Sequence, residues 1–219
     1  MRDNATPFPA KEYDSQMRKT MPYYEDFHNS VIDLVKTTLP NPELWLDTGC
    51  GTGSFVQKAA VFFNNTKFFL ADPSEKMLEI ANRISDNTIQ KSTEEIDFPQ
   101  ESFDVITAIL SHHYLGKHER QLSTQNCYRI LKPKGMYITF ENVRFLSPEG
   151  ISISMNRWWN YKLEKGIEPE KRDEHYARFD NEYHPVTILD HIDLLKECGF
   201  SVVEMFWLSH MQAGFFAIK

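Results

Sequence analysis

The sequence predicts a doubly wound α/β fold: a mostly parallel seven-stranded sheet with helices on both faces, a C-terminal antiparallel hairpin and a small helical cap. Three observations predict it. Short apolar runs alternate with amphipathic stretches between residues 44 and 142, the rhythm of parallel crossovers. A glycine cluster follows the first apolar run and opens a helical stretch. Two further apolar runs, 201–208 and 214–218, lie close enough to form a closing hairpin.

The elements follow in order. Residues 1–11 carry two prolines and few apolar groups, which predicts a loose arm. Over 13–39 the apolar residues Met17, Tyr24, Phe27, Val31, Leu34 and Val35 recur at helical spacing, with an interruption near Pro22 and a stop at Pro40. Strand is predicted at 44–47, 67–71, 88–91, 103–110 and 135–141, and helix at 54–63, 74–84 and 121–131. The stretch 147–183 is rich in charge and aromatics and predicts an inserted helical cap. The amphipathic run 186–198, stopped by Gly199, predicts a last helix.

A chain of 219 residues supports one sizeable core and a thin accessory layer, so a single domain is expected. Hydrophobic residues at 41% and charged residues at 25% are globular values and exclude disordered, collagen-like and coiled-coil classes. A formal charge of -7 argues against a broad nucleic-acid-binding face, although a local basic patch stays open. Cys50, Cys127 and Cys198 are odd in number and widely spaced, which suggests neither a disulfide framework nor a metal site and suits a reducing, cytoplasmic setting. The N-terminal residues lack a signal peptide's apolar stretch, and no apolar run reaches the roughly 20 residues of a membrane helix, so no membrane partner is expected.

Chemistry concentrates first in Asp47-Thr48-Gly49-Cys50-Gly51-Thr52-Gly53, where a buried strand turns into a helix. Glycines there allow a tight turn and let a ligand reach main-chain N–H groups that a Cβ would shield. The pattern is G-x-G-x-G with an acid two residues before it, not the G-x-G-x-x-G of dinucleotide enzymes. Such an acid sits badly with a pyrophosphate but accepts hydrogen bonds from an amino-acid ammonium. Asp72, at the end of the second strand, is placed to take both hydroxyls of a ribose. Ordinary loop glycines and a surface acid are the bland alternative, and the order and spacing argue against it.

The segments LWLDTGCGTGSF, FFLADPSEKMLEIA, ESFDVITAILSHHYL and ILKPKGMYITFE resemble the successive motifs of class I S-adenosylmethionine-dependent methyltransferases. The resemblance implies the Rossmann-like fold of that family, S-adenosylmethionine as cofactor, and a division into an N-terminal helical lid (1–40), a donor-binding core (44–142), a cap (145–185) and a closing helix and hairpin (186–219). It also implies that Asp47, Gly49, Cys50, Gly51 and Gly53 hold the methionine portion and Asp72 the ribose. Pro73 and Met77 would lie beside the adenine and Ile109 and Leu110 would be further cofactor contacts, with Ser92 and Thr93 where the family often carries an acid; a carboxylate role there shifts to Glu94. The stretch 13–28 resembles the lid of a subgroup that includes tRNA wobble-uridine modification enzymes using carboxylated S-adenosylmethionine, which implies Arg18 or Tyr23 as donor contacts. A surface Arg and a core Tyr are the alternative.

His112 and His113 follow the fourth strand at the carboxyl edge of the sheet and are the candidate catalytic bases; packing without titration is the alternative. His28, Tyr24 and His184 have weaker claims. Trp158, Trp159 and Tyr161 read as an acceptor-pocket wall, as the packing face of the cap, or as a dimer contact. The cap mixes Lys and Arg with Glu and Asp, as a solvated helix face does. The leading expectation is methyl transfer to an O or N atom of a small-molecule acceptor. Its alternatives are a tRNA-modifying enzyme using S-adenosylmethionine or its carboxylated form, and a non-catalytic donor-binding protein; a nicotinamide-dependent oxidoreductase fails on glycine spacing.

Overall fold

A computed structural model of the chain describes residues 4–219. The strands are β1 (Leu44–Thr48), β2 (Lys67–Ala71), β3 (Thr88–Ile89), β4 (Phe103–Ile109), β5 (Leu131–Arg144), β6 (Val186–Thr187), β7 (Val202–Ser209) and β8 (Gln212–Ile218). Seven of them run in the order β3-β2-β1-β4-β5-β8-β7, and β6 pairs separately with β5. β1 to β5 are parallel, and β8 joins β5 antiparallel with β7 beyond it. The order reverses at β1 and β4, so the crevice above their carboxyl ends is where an open α/β sheet takes a ligand.

Alternation along the central strands builds a core on each face. Trp45, Val105, Ile138 and Phe140 point into one apolar cluster, Leu46, Ile106 and Tyr137 into the other. The first cluster lies under α1 (Tyr13–Thr20), α2 (Tyr24–Thr38) and α3 (Ser54–Ala59), and the second under α5 (Lys117–Ile130) and α8 (Ile188–Glu197). In α2, Tyr24, Phe27, Val31 and Val35 form the buried stripe, and Phe27 stacks on Phe140 with ring centroids 4.8 Å apart. Truncating Phe27 to Ala would cost about 3–5 kcal/mol.

Several boundaries differ from those the sequence predicts. α5 begins four residues early because the Gly116 N–H is closed by Glu119 Oε2 at 3.1 Å. β5 runs on to Arg144 because Asn142 still faces Gln212 of β8 and Val143 faces Val186 of β6. β6 itself occupies residues read as the start of the last helix. α8 starts after it, capped by Thr187, whose hydroxyl accepts the Asp190 N–H at 3.1 Å. α4 (Glu75–Ala81) is shorter than predicted and is capped by Ser74.

The cap consists of α6 (Pro148–Glu164) and α7 (Arg172–Ala177). It is tied to the N-terminal helices by Trp158, whose indole Nε1 donates to the Thr20 carbonyl at 2.7 Å, satisfying an oxygen that the end of α1 leaves without a helical partner. Among the described residues no helix is long and apolar enough to cross a membrane, and the three cysteines are free.

Candidate functional site

The turn after β1 needs glycine for two different reasons. Gly49 has φ +63°, and a Cβ there would lie 2.2 Å from the Ser111 Cβ, so no other residue fits. Gly51 has φ +56°, and a Cβ there would clash with nothing, meeting Tyr13 at 3.7 Å and Met77 at 4.0 Å in ordinary contact, so the left-handed backbone is what asks for glycine. Gly53 is a packing position: its Cβ would meet Ile84 and Leu70 side chains, each at 2.9 Å, and it does not line the cavity.

Two buried carboxylates flank this turn. Asp72 Oδ2 accepts the Gly51 N–H at 2.9 Å and Oδ1 the Ser74 N–H at 2.8 Å, which fixes both oxygens and leaves each a free lone pair. Burial raises its pKa against those two hydrogen bonds. Asp47 lies at the end of β1, where Thr107 donates to Oδ1 at 2.6 Å; the Thr107 oxygen in turn receives the Trp45 indole N–H at 3.1 Å. Burial pushes the Asp47 carboxyl up to about 7, the Thr107 hydrogen bond opposes this, and the Asp72 charge adds to it. A buried carboxyl so far from its ordinary range is a group whose charged form an adjacent cation would stabilise.

A cavity of about 140 Å³ opens over the turn, lined by Gly49, Gly51, Asp72, Pro73, Met77, Ser92, Thr93 and Leu110. Glu94 and His112 also reach it, and residues 4–6 of the arm cover it. A narrower recess continues past Asp47, Cys50 and Ile109 toward Tyr24 and His28, sharing Gly49, Leu110 and Tyr13 with the first cavity. Residues 4–6 therefore pack against the site, unlike the loose arm that the sequence predicts over 1–11, whose first three residues lie outside the described ones.

Arg18 and Tyr23 lie outside both spaces. Arg18 is exposed, its Nε donating to Glu25 Oε1 at 2.9 Å, and Tyr23 is half exposed beside Tyr161 and His210. The reason is helical phase. Met17 and Thr20 are the buried positions of α1, and Tyr13, one turn before Met17, reaches the cavity from the lid; Arg18 points away from that stripe. The i, i+4, i+7 spacing of Tyr13, Met17 and Thr20 was the signal that would have found it. Ser111, Tyr114 and Leu115, also in the wall, had no comparable signal.

The two histidines separate. His112 Nε2 lies 3.0 Å from Thr93 Oγ1 and Nδ1 3.0 Å from the Tyr137 hydroxyl, and burial depresses its pKa to about 4. With both ring nitrogens engaged it holds the Ser92–Thr93 turn in place. His113 instead reaches a second cavity, of about 30 Å³, between the N-terminal helices and the cap. This space shares Tyr13, Leu110 and Tyr114 with the first cavity, so the two adjoin across these side chains. Leu110, at their junction, has φ +54°, a left-handed conformation rare for a branched residue.

The second cavity is lined on the cap side by Trp158, Lys162, Arg178 and Tyr183, and on the sheet side by His113 and Asn142. Lys162 is buried, 4.9 Å over the Trp158 ring, with Nζ 2.9 Å from His175 Nδ1 and no carboxylate partner among the described residues. Burial and then the Arg178 charge lower its pKa to about 7. Arg178 donates from Nε to Glu182 at 2.7 Å and lies over the Tyr183 ring. The Tyr183 hydroxyl is buried without a hydrogen-bond partner among the described residues. Trp158 and Trp159 are buried inside the chain, the latter stacked on His175, so they are not a dimer contact; Tyr161 packs beside Tyr23. His184 donates its N–H to the His113 carbonyl at 2.7 Å, bracing the same turn.

Residues 46–135 match the family model described as a methyltransferase domain. Over nearly its whole length the chain is similar to proteins named carboxy-S-adenosyl-L-methionine synthase. That of Nautilia profundicola is 23% identical over 214 residues, covering 96% of this chain and 92% of the relative. That of Wolinella succinogenes is 26% identical over 207 residues, covering 88% and 83%. Among solved structures, a SAM-dependent methyltransferase of Thermotoga maritima superposes with a TM-score of 0.64 at 20% identity, covering 95% of each chain, and so shares the fold.

Proposed function

We propose that this chain is an S-adenosylmethionine-dependent enzyme of the class I methyltransferase family, as the methyltransferase-domain match over residues 46–135 supports, and that it transfers a methyl group to an O or N atom of a small acceptor that carries a carboxylate. The observation behind the choice of acceptor is that Lys162, buried with no carboxylate partner among the described residues, and Arg178, paired with Glu182, line one cavity with Tyr183 and Asn142 as further donors. Lys162 rests its Nζ against His175 Nδ1 with burial lowering its pKa to about 7, and an anion arriving from solvent would favour its charged form. The mixed charges on the outer cap favour such a small anion over a nucleic acid.

The residues of the first cavity fit S-adenosylmethionine. Gly51 keeps a Cβ out of the cavity wall, and two buried carboxylates, Asp47 and Asp72, supply acceptors that would suit the ligand's ammonium and ribose hydroxyls. Asp47, with Gly49 and Cys50, would take the amino-acid end; Asp72 would take the ribose hydroxyls; Pro73, Met77, Ser92, Thr93, Ile109 and Leu110 would enclose the adenosyl part. Tyr13, which lines the cavity, would take the lid role for which the sequence makes Arg18 and Tyr23 candidates. Bound there, S-adenosylmethionine supplies a methyl group activated by its sulfonium, and the leaving thioether needs no acid. What the protein adds is position and the exclusion of water. Where the acceptor atom carries a proton, His113 is the group that receives it, being the histidine that faces the acceptor cavity; His112 positions the Ser92–Thr93 turn.

A second reading starts from the names of the relatives: the product would be carboxylated S-adenosylmethionine, with the cationic cavity holding the carboxylate of the group's source. One experiment orders the readings. Calorimetric titration with S-adenosylmethionine and S-adenosylhomocysteine, with NAD and Asp72→Ala as controls, is expected to give micromolar binding that weakens at least tenfold in the variant, about 1.4 kcal/mol. The S-adenosylhomocysteine-saturated protein is then titrated with formate, acetate and benzoate, each beside its neutral amide. Carboxylates that bind no better than their amides would reject the acceptor assignment. Mass spectrometry of the nucleoside after incubation with candidate carboxylates separates methyl transfer from donor carboxylation.

A further inference from the structure

Behind His113 lies a polar cluster that the assignments above leave unused. Glu141 of β5 is 2% exposed. Its Oε1 accepts the Thr139 hydroxyl at 2.5 Å, whereas Oε2 has no hydrogen-bond partner among the described residues and lies 3.6 Å from His113 Nδ1. On the other side of the imidazole, Nε2 lies 3.2 Å from Asn142 Nδ2, and Asn142 Oδ1 accepts Gln212 Nε2 at 3.0 Å. His191 of α8 is also buried near Glu141, its ring against Phe215 and neither nitrogen bonded.

These contacts choose a tautomer. A carboxylate oxygen facing a ring nitrogen attracts an N–H and repels a lone pair, and in a buried site that difference is unscreened. The Asn142 backbone N–H also donates to Nδ1 at 3.5 Å, a long bond to a neutral atom; the carboxylate, at a similar 3.6 Å, carries a full charge and its Oε2 has no other donor among the described residues, so its preference for an N–H is the larger. With the proton on Nδ1, Nε2 is an acceptor. That fits Asn142 presenting its amide N–H₂ to the ring and its oxygen to Gln212. Glu141 stays ionised: burial raises its pKa, but His113, His191 and Arg120 together hold it below the usual carboxylate range. Burial depresses the His113 pKa and Glu141 pulls it back, against Arg120 and Arg178.

We propose that Glu141 is the positioning residue for His113, fixing its Nδ1–H tautomer so that the Nε2 lone pair serves the acceptor cavity. This rests on the reading of His113 as proton acceptor. In the transfer, the acceptor's O–H or N–H displaces the Asn142 amide from Nε2. As the acceptor atom forms its bond to the methyl carbon, the methyl–sulfur bond breaks and its electron pair leaves with the thioether; the acceptor's own proton passes to Nε2, and the pair of that O–H or N–H bond stays with the acceptor atom. Nδ1 keeps its proton, Glu141 keeps its charge and stabilises the imidazolium, and the Nε2 proton leaves to water when the cavity opens.

The test is ¹⁵N NMR of the imidazole nitrogens in the full chain saturated with S-adenosylhomocysteine. The wild-type protein is expected to show His113 as the Nδ1–H tautomer; an Nε2–H tautomer overturns the proposal. Glu141→Met, which keeps bulk and removes the acceptor, is expected to shift the tautomer ratio at least tenfold toward Nε2–H, with Glu141→Gln recovering part of the preference. An unchanged ratio in Glu141→Met also overturns it, and should that variant not fold, the wild-type spectrum decides alone. Failure of the wild-type chain to bind S-adenosylhomocysteine or any carboxylate would instead sink the functional reading, and a spectrum of the free protein would still report the tautomer.

Discussion

The Thr52 hydroxyl donates to Asp14 Oδ1 at 2.7 Å, a hydrogen bond that joins the first turn of α1 to the glycine turn after β1. The lid is thereby fixed to the element it covers, and Tyr13 is carried over Gly51 by the residue next to it. Hydrogen bonds to a charged acceptor contribute about 1.5–3 kcal/mol. In Asp14→Ala, S-adenosylhomocysteine is therefore expected to dissociate about tenfold faster in stopped-flow fluorescence, with little change in melting temperature. An unaltered dissociation rate would mean that the apolar stripe of α1 holds the lid without it.

Asp47 makes stability depend on pH in a direction opposite to that of most carboxylates. Its folded pKa, pushed up to about 7 by burial against the Thr107 hydrogen bond, exceeds the unfolded value of about 3.9. Between those values the folded chain binds more protons, so stability falls as pH rises through the window, by on the order of 4 kcal/mol. Asp47→Asn is expected to be more stable than wild type in urea at pH 8 and nearly equal at pH 4. Saturation with S-adenosylmethionine, whose ammonium would pair with the carboxylate, should flatten the wild-type dependence. Equal stabilities at pH 8 would show that Asp47 titrates normally.

Gly49→Ala should destabilise the chain by more than about 2 kcal/mol, because the new Cβ overlaps Ser111 and the left-handed φ adds about 1 kcal/mol of strain. Adding Ser111→Gly removes the overlap alone. The double variant should recover most but not all of the loss in chemical denaturation. No recovery would place the cost in the backbone.

Tyr183→Phe is expected to raise the melting temperature by a few degrees, since it deletes a buried hydroxyl that lacks a partner, worth about 1 kcal/mol. The same change should weaken acetate or benzoate binding several-fold. If stability rises and carboxylate affinity is unaffected, the hydroxyl serves no ligand in that cavity.

Local sequence carried much of the donor side. Asp47, Gly49, Gly51 and Asp72 follow directly on β1 and β2, and neighbouring parallel strands place their carboxyl ends on one edge, so residues at strand ends must converge. The same logic brought Leu110 and both histidines to that edge after β4. β6 was hidden because two residues carry no period, and their strand conformation comes from the β5 backbone beside them.

The sequence by itself determined the sheet, its closing hairpin and the acid-flanked glycine turn, because each depends on residues adjacent in the chain or on a regular period of two or 3.6. Only the tertiary structure decided that Tyr13 and not Arg18 faces the cavity, that His112 and His113 serve different spaces, and that Lys162 and Arg178 share a cavity with Asn142. Those outcomes depend on helix phase and on the docking of the cap against the sheet. Contacts between segments far apart in the chain set both, and no local pattern records them.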